Sequence, residues 1–149
     1  MAQIISTQIE INRSPADVRE IFLSFPKIQE WHQGVFTITR LSPEKPTIEE
    51  GERLQVTFHG RRMTTSVLVN SSMEFRWEGL ALFGLVKGQH SFRFEASKTG
   101  PNVTIFTQEE EFDGPLAFLQ GPASPVRNTV QEAFRRFNRD LKARAESAS

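Results

Sequence analysis

The stretch VRNTVQEAFRRFNRDL, residues 126–141, decides the fold. Its apolar residues fall at Val126, Val130, Phe134, Phe137 and Leu141, a spacing that lays one stripe along one face of a helix. Upstream, almost every segment between Val35 and Phe112 has strand character instead. The expected architecture is α+β: a curved antiparallel sheet of about seven strands with one long C-terminal helix laid across it. A single helix cannot fill the whole concave side of such a sheet, so the layout predicts an internal cavity. Function is expected there.

Working back from that helix, Lys87 to Ala96 and Asn102 to Phe112 form a hairpin across Lys98-Thr99-Gly100-Pro101. Strands are expected at Val35 to Leu41, Arg53 to Phe58, Met63 to Asn70 and Met73 to Leu80, with an exposed loop from Ser42 to Glu52. At the other end, Ile5, Thr7, Ile9 and Ile11 alternate with polar residues, which marks a half-buried strand. Ser14 is a good N-cap and Pro15 suits the first helical position. Val18, Ile21, Phe22 and Phe25 give that helix its inner face, Pro26 stops it, and a second short helix runs from Lys27 to Trp31. Gly114-Pro115 ends the sheet, and a helical piece around Leu116 to Leu119 precedes the breakers Gly121, Pro122 and Pro125. No linker or repeat divides residues 1–149, which are expected to form a single domain.

Composition narrows the function. Lys plus Arg and Asp plus Glu number 18 each, for a formal net charge of zero. That is not the basic footprint of a nucleic-acid binder. The basic residues Arg135, Arg136, Arg139, Lys142 and Arg144 lie mostly off the apolar stripe and form a solvated face. Cysteine is absent, which excludes disulfides, thiolate zinc sites and cysteine nucleophiles. Met1 to Asn12 carries no signal-peptide pattern, and no stretch approaches the roughly 20 apolar residues of a membrane span. A cytoplasmic location is expected. Thirteen Phe and no Tyr supply large apolar surfaces without phenol hydroxyls, so a general acid must come from another residue type.

The order strand, two helices, antiparallel sheet and long terminal helix resembles the helix-grip fold of the START/Bet v 1-like superfamily. It is most similar to the polyketide cyclase/dehydrase (SRPBCC) branch. The matching residues are Ile11 with Ser14-Pro15 and Val18, Phe25-Pro26 with Glu30-Trp31, and Gly51 with Leu54 and Val56. Phe75-Arg76-Trp77 with Gly79, Gly88 with His90 and Phe92, and Gln108 with Glu110, Phe112 and Gly114 continue the series, which ends at Asn138 with Leu141-Lys142. Each motif marks a strand end or a packing position, and the resemblance spans nearly the whole chain. It implies the fold; the superfamily's members include cyclases, dehydratases, lipid carriers and hormone receptors, so it does not fix the chemistry. The family often has Trp-Asn-Pro where this chain has Trp31-His32-Gln33.

The sharpest chemical candidate lies on the last hairpin. His90 shares a face with Phe92, Phe94 and Ala96, and Gln108 and Glu110 share one with Phe106 and Phe112. With the turn near Thr99, His90 falls opposite Gln108 or Glu110. Directly paired residues have Cβ atoms about 4.5–5.5 Å apart and diagonal ones roughly 7–8 Å, so either register gathers imidazole, amide and carboxylate. A slip of one residue would instead turn Val103, Ile105, Thr107 and Glu109 inward. His90 and Glu110 are the candidate catalytic pair for moving a proton in enolisation, aldol closure or dehydration; a purely structural pair is the alternative.

Gln108, Trp77, Phe75, Phe92, Phe134, Phe137, Trp31 and Phe83 are the candidate ligand-binding residues. Core packing is the alternative for Phe75, Phe134 and Phe137, and pinning the short helix is the alternative for Trp31. Leu82, Phe83 and Leu85 suit an apolar lid. His32, His59 and His90 are too dispersed for a metal site, Ser71-Ser72 has no evident base, and no Gly-rich phosphate loop follows a strand. The expected function is binding of a small hydrophobic metabolite of polyketide, terpenoid or aromatic type, with cyclisation or dehydration as its catalytic version and no cofactor. A non-catalytic carrier of lipid or another hydrophobic ligand is the alternative. A third reading makes the loop from Ser42 to Glu52 a contact for a protein partner, which the sequence leaves unknown.

Overall fold

The computed structural model describes residues 3–81, 84–115, 117 and 124–147. Strand β1 (Gln3–Ile11) leads into helix α1 (Pro15–Leu23) and a 3-10 turn (Phe25–Glu30). Strands β2 (Phe36–Arg40), β3 (Arg53–Phe58), β4 (Arg61–Asn70), β5 (Glu74–Ala81), β6 (Val86–Ser97) and β7 (Gly100–Asp113) follow, and helix α2 (Pro125–Ser147) closes the chain. The seven strands form one sheet in the order β1-β7-β6-β5-β4-β3-β2, antiparallel throughout. This is the helix-grip arrangement expected from the sequence.

Local chemistry explains the departures at the boundaries. Ser14 caps α1 as expected, its hydroxyl accepting from the Asp17 N–H at 3.3 Å. The helix stops at Leu23 rather than at Pro26: Ser24, whose N–H and hydroxyl both donate back to the Glu20 carbonyl, leaves helical dihedrals at φ −79° and ψ 63°. Pro26 then sits inside the first turn of the 3-10 segment, where its missing N–H costs nothing. The short helix expected from Lys27 to Trp31 is therefore this tighter turn, begun two residues earlier. Ala117 donates its N–H to the Gly114 carbonyl at 3.1 Å; the rest of the helical piece expected at Leu116 to Leu119 lies outside the described residues.

Helix α2 runs alongside β1 and is pinned to it at intervals. Arg127 donates to the Ile4 carbonyl (2.7 Å), Lys142 to the Glu10 carbonyl (2.6 Å), and the Asn12 N–H to the Glu146 carboxylate (2.8 Å). Val130, Phe134, Phe137 and Leu141 of the predicted stripe are buried. Val126 is 49 % exposed.

The concave side is filled mainly by phenylalanine. Phe36 from β2 sets its ring against Phe58, His90 and Phe137, with centroids 5.2–5.4 Å away. Phe22 from α1 meets Phe92 at 4.4 Å and Phe75 and Phe94 at 5.8 Å. These rings occupy part of the concave side beneath Phe134 and Phe137, where the cavity is expected. Along that stretch the described rings touch one another, because α1 and β2 each send a phenylalanine under the helix. Truncating Phe36→Ala removes the ring that joins β2 to α2, and urea unfolding is expected to show a loss of about 3–5 kcal/mol.

Candidate functional site

The β6–β7 hairpin turns at Lys98-Thr99 between paired Ser97 and Gly100. That register sets His90 opposite Glu110, Phe92 opposite Gln108 and Phe94 opposite Phe106, all facing the helix. The one-residue slip does not occur, since it would have turned Phe106 and Gln108, both fully buried, out to solvent. His90 Nδ1 lies 2.8 Å from Glu110 Oε2, and His90 Nε2 lies 2.8 Å from Gln108 Oε1. The imidazole is almost wholly buried, whereas the Glu110 side chain keeps 20 % exposure.

Two further residues fix where the protons are. The Thr7 hydroxyl donates to the Gln108 main-chain carbonyl at 3.1 Å, leaving its lone pairs to accept from Asn138 Nδ2 at 2.9 Å. Asn138 Oδ1 then accepts from Gln108 Nε2 at 2.7 Å, and Gln108 Oε1 is left to face the imidazole. A second contact from Gln108 Nε2 to the Phe134 carbonyl (3.4 Å) favours the same orientation. Because the chain starts at a main-chain carbonyl, which cannot reverse its role, it runs one way only. His90 therefore carries a proton on Nε2.

The other Glu110 oxygen has a different outlook. Gly79 and Gly88 are directly paired on β5 and β6 and sit on the concave face, in line with Trp77 and His90. Neither brings a side chain of its own, which leaves a low strip of sheet, a recess, beside the dyad that Thr65 and Met63 cover at Gly79 and Glu110 and Phe112 cover at Gly88. Glu110 Oε1 leans over it, only 2.6 Å from where a Cβ on Gly88 would lie. On the far side, Thr65 Cγ2 approaches a Cβ built on Gly79 to 3.3 Å. Thr65 Oγ1 is buried and has no hydrogen-bond partner among the described residues. A buried hydroxyl left without a partner is uncommon, and a water or a ligand oxygen would satisfy it.

The other residues singled out from the sequence divide into two groups. Trp77 lines the dyad, its ring 5.1 Å from His90 and from Phe92. Phe92 stacks on His90 at 4.5 Å and Phe134 lies 4.8 Å from it, so both wall the imidazole. Phe75 and Phe137 are fully buried in the aromatic core. Trp31 packs on Phe137 at 5.5 Å, which pins the 3-10 turn to α2. Phe83 lies outside the described residues. Thr7, Thr65 and Asn138 escaped the sequence reading as site residues, although each is a polar residue on an otherwise apolar face. Among the described residues there is no cluster of three or more His, Asp or Glu fit for a metal, and no helix is long and apolar enough to cross a membrane.

Comparison with known proteins places this architecture. The family described as polyketide cyclase/dehydrase and lipid transport matches residues 2–146. The chain belongs to that family. No curated protein is significantly similar to it in sequence. Among solved structures it is similar to a START superfamily protein from Mycobacterium smegmatis (15 % identity, 98 % of this chain and 99 % of that one, TM-score 0.69). It is also similar to norcoclaurine synthase from Thalictrum flavum in complex with dopamine and hydroxybenzaldehyde (11 %, 100 % and 89 %, 0.68). A third is the di-domain aromatase/cyclase StfQ of the steffimycin biosynthetic pathway (11 %, 97 % and 51 %, 0.68). At these identities the likeness is one of fold.

His32 stands where the polyketide cyclase family often has asparagine, and here it holds two elements together. The ring is buried, Nδ1 donates to Asp140 Oδ2 at 2.8 Å, and Nε2 accepts the Phe36 N–H at 3.4 Å. It thus bridges α2 to the start of β2. Burial pushes its pKa below the usual 6.5; the hydrogen bond and charge of Asp140 oppose that shift, and Arg136 adds to it. A depressed histidine value means that the unfolded chain takes up a proton first. The stability due to neutral His32 is then complete above about pH 6.5 and drains away as pH falls below it. Urea midpoints measured from about pH 7 down to 5 should fall more steeply for the native chain than for His32→Asn.

Proposed function

We propose that this protein binds a small hydrophobic metabolite of polyketide, terpenoid or aromatic type over the Gly79–Gly88 recess. Glu110, held by His90, exchanges a proton with that ligand in a cyclisation or dehydration. The observation that carries the reading is the split environment of the Glu110 carboxylate. One oxygen is tied to a buried imidazole, and the other has no hydrogen-bond partner among the described residues and lies over Gly88. Trp77 and Phe112 supply apolar surface close by, and Thr65 offers an unused hydroxyl to a ligand oxygen. The family's description, which names polyketide cyclase/dehydrase and lipid transport, is in keeping with this chemistry and equally with a carrier.

In a dehydration, the Glu110 carboxylate takes a proton from the carbon next to a ligand carbonyl. The electron pair of that C–H bond becomes the new C=C bond as the neighbouring C–O bond breaks. The hydroxyl leaves as water with the proton that Glu110 returns. His90 is a positioning residue. Its Nε2–H is committed to Gln108, so it stabilises and aims the carboxylate without reaching the ligand itself. Holding a flexible chain near its closing geometry supplies further acceleration.

Two substitutions test the site. Glu110→Gln keeps the shape but cannot shuttle the proton. With a supplied β-hydroxyketone precursor followed by mass spectrometry, turnover should fall about 100-fold or more while affinity changes little. Unchanged turnover removes Glu110 from the chemistry, and binding with no turnover in either protein makes the chain a carrier. Gly88→Ala puts a methyl where Glu110 Oε1 now lies. The carboxylate is the end of a flexible side chain and can give way, so thermal stability should hold while ligand affinity, read by isothermal titration, drops about tenfold.

A further inference from the structure

A second concavity opens at the β2 edge of the sheet, and neither His90 nor Glu110 lines it. It is a cleft of about 630 Å³ between the α1/3-10 elbow, the edge strand β2 and the loop that follows it. Leu23, Phe25, Pro26, Ile38 and Ile48 form its apolar walls. The volume falls within the range of small-molecule sites.

The loop wall is built rather than loosely draped. Arg40 clamps Glu52 with two parallel bonds, Nε to Oε2 at 2.7 Å and Nη2 to Oε1 at 3.0 Å. The same guanidinium donates to the Lys45 and Thr47 carbonyls, holding the loop from inside. Glu52 is buried, and the Arg40 hydrogen bond keeps its carboxyl below the usual carboxylate range. Asn70 donates to the Ile48 carbonyl at 2.7 Å and secures the far end.

Two residues lining the cleft are charged, and only one of them meets an opposite charge. Arg40 is neutralised by Glu52. Arg19 is not: its Nε donates to the Ser71 carbonyl (2.8 Å) and its Nη2 to Asn70 Oδ1 (2.6 Å), both neutral acceptors. No carboxylate pairs with it among the described residues, and its remaining donors are uncommitted. A pre-positioned, half-buried guanidinium beside apolar walls suits an apolar body with an anionic head, of which a carboxylate is the smallest.

We propose that this edge cleft binds a small amphiphile with a single carboxylate, the head held by Arg19 and the apolar body laid against Ile38, Ile48 and Phe25. This site is separate from the Glu110 recess and does not depend on the activity proposed there.

Decanoate and decanol are the probes, titrated into the isotope-labelled full chain and followed by amide NMR. Decanoate should give saturable shifts at Thr37, Thr39 and Ile48, and decanol should bind there about tenfold more weakly. Arg19→Gln should weaken decanoate about tenfold and leave decanol unchanged, with Arg19→Lys recovering part of the loss. Glu110→Gln should leave all of these shifts in place. The proposal is overturned if decanoate and decanol bind equally, if Arg19→Lys and Arg19→Gln both bind decanoate like the native chain, or if no shift saturates. Shifts confined to the amides around Gly79, Gly88 and Glu110 also overturn it, since they place the amphiphile in the recess instead.

Discussion

The side chain of Gln108 is the hinge of this structure. It is fully buried on β7, beneath the helix, and its amide serves His90 on one side and Asn138 on the other. A buried amide with any of these partners missing would carry an uncompensated desolvation cost, so the network is either complete or a liability. Its completeness ties α2 to the sheet at a definite height and rotation. That position in turn brings Phe134 against His90 and leaves Glu110 at the margin of the packed zone. Here the polar spot expected of the site is also what registers the helix.

The aromatic packing around this network explains how one fold can be solid in one place and receptive in another. Phe22, Phe36, Phe92 and Phe137 pack against one another in the middle of the grip. Beyond His90 the sheet changes character, because Gly79 and Gly88 meet across the β5–β6 ladder where large residues stood before. The boundary between core and recess therefore runs through the dyad itself. A carboxylate there can be oriented by the dry side and meet a ligand on the other. The tautomer of His90 follows from the same boundary, since its Nε2 faces the dry side and must satisfy Gln108.

The two concavities differ in how they are made. The recess comes from two paired glycines on a continuous strand ladder, and its polar groups are anchored through the core. The edge cleft is a gap between the sheet edge and a loop, kept open by the Arg40–Glu52 clamp. Strand β2 joins them, with Phe36 turned towards the core and the strand itself forming a wall of the cleft.

Much of the fold could be read from residue spacing, because periodicity is local. The stripe from Val130 to Leu141 and the alternation from His90 to Phe94 and from Phe106 to Phe112 each identify a buried face without knowledge of its partner. The short β6–β7 turn then limited His90 to two partners, and the trio with Gln108 and Glu110 followed. Asn138 was open to the same reasoning, since it lies four residues after Phe134 on the apolar stripe, and Thr7 lies among inward isoleucines. The tertiary structure alone decided that Gly79 would lie beside Gly88 and near Thr65, and that Phe22 and Phe36 would occupy the space under α2. These are contacts between segments whose mutual position depends on strand register and helix placement, and no local pattern encodes how much volume remains once distant side chains meet.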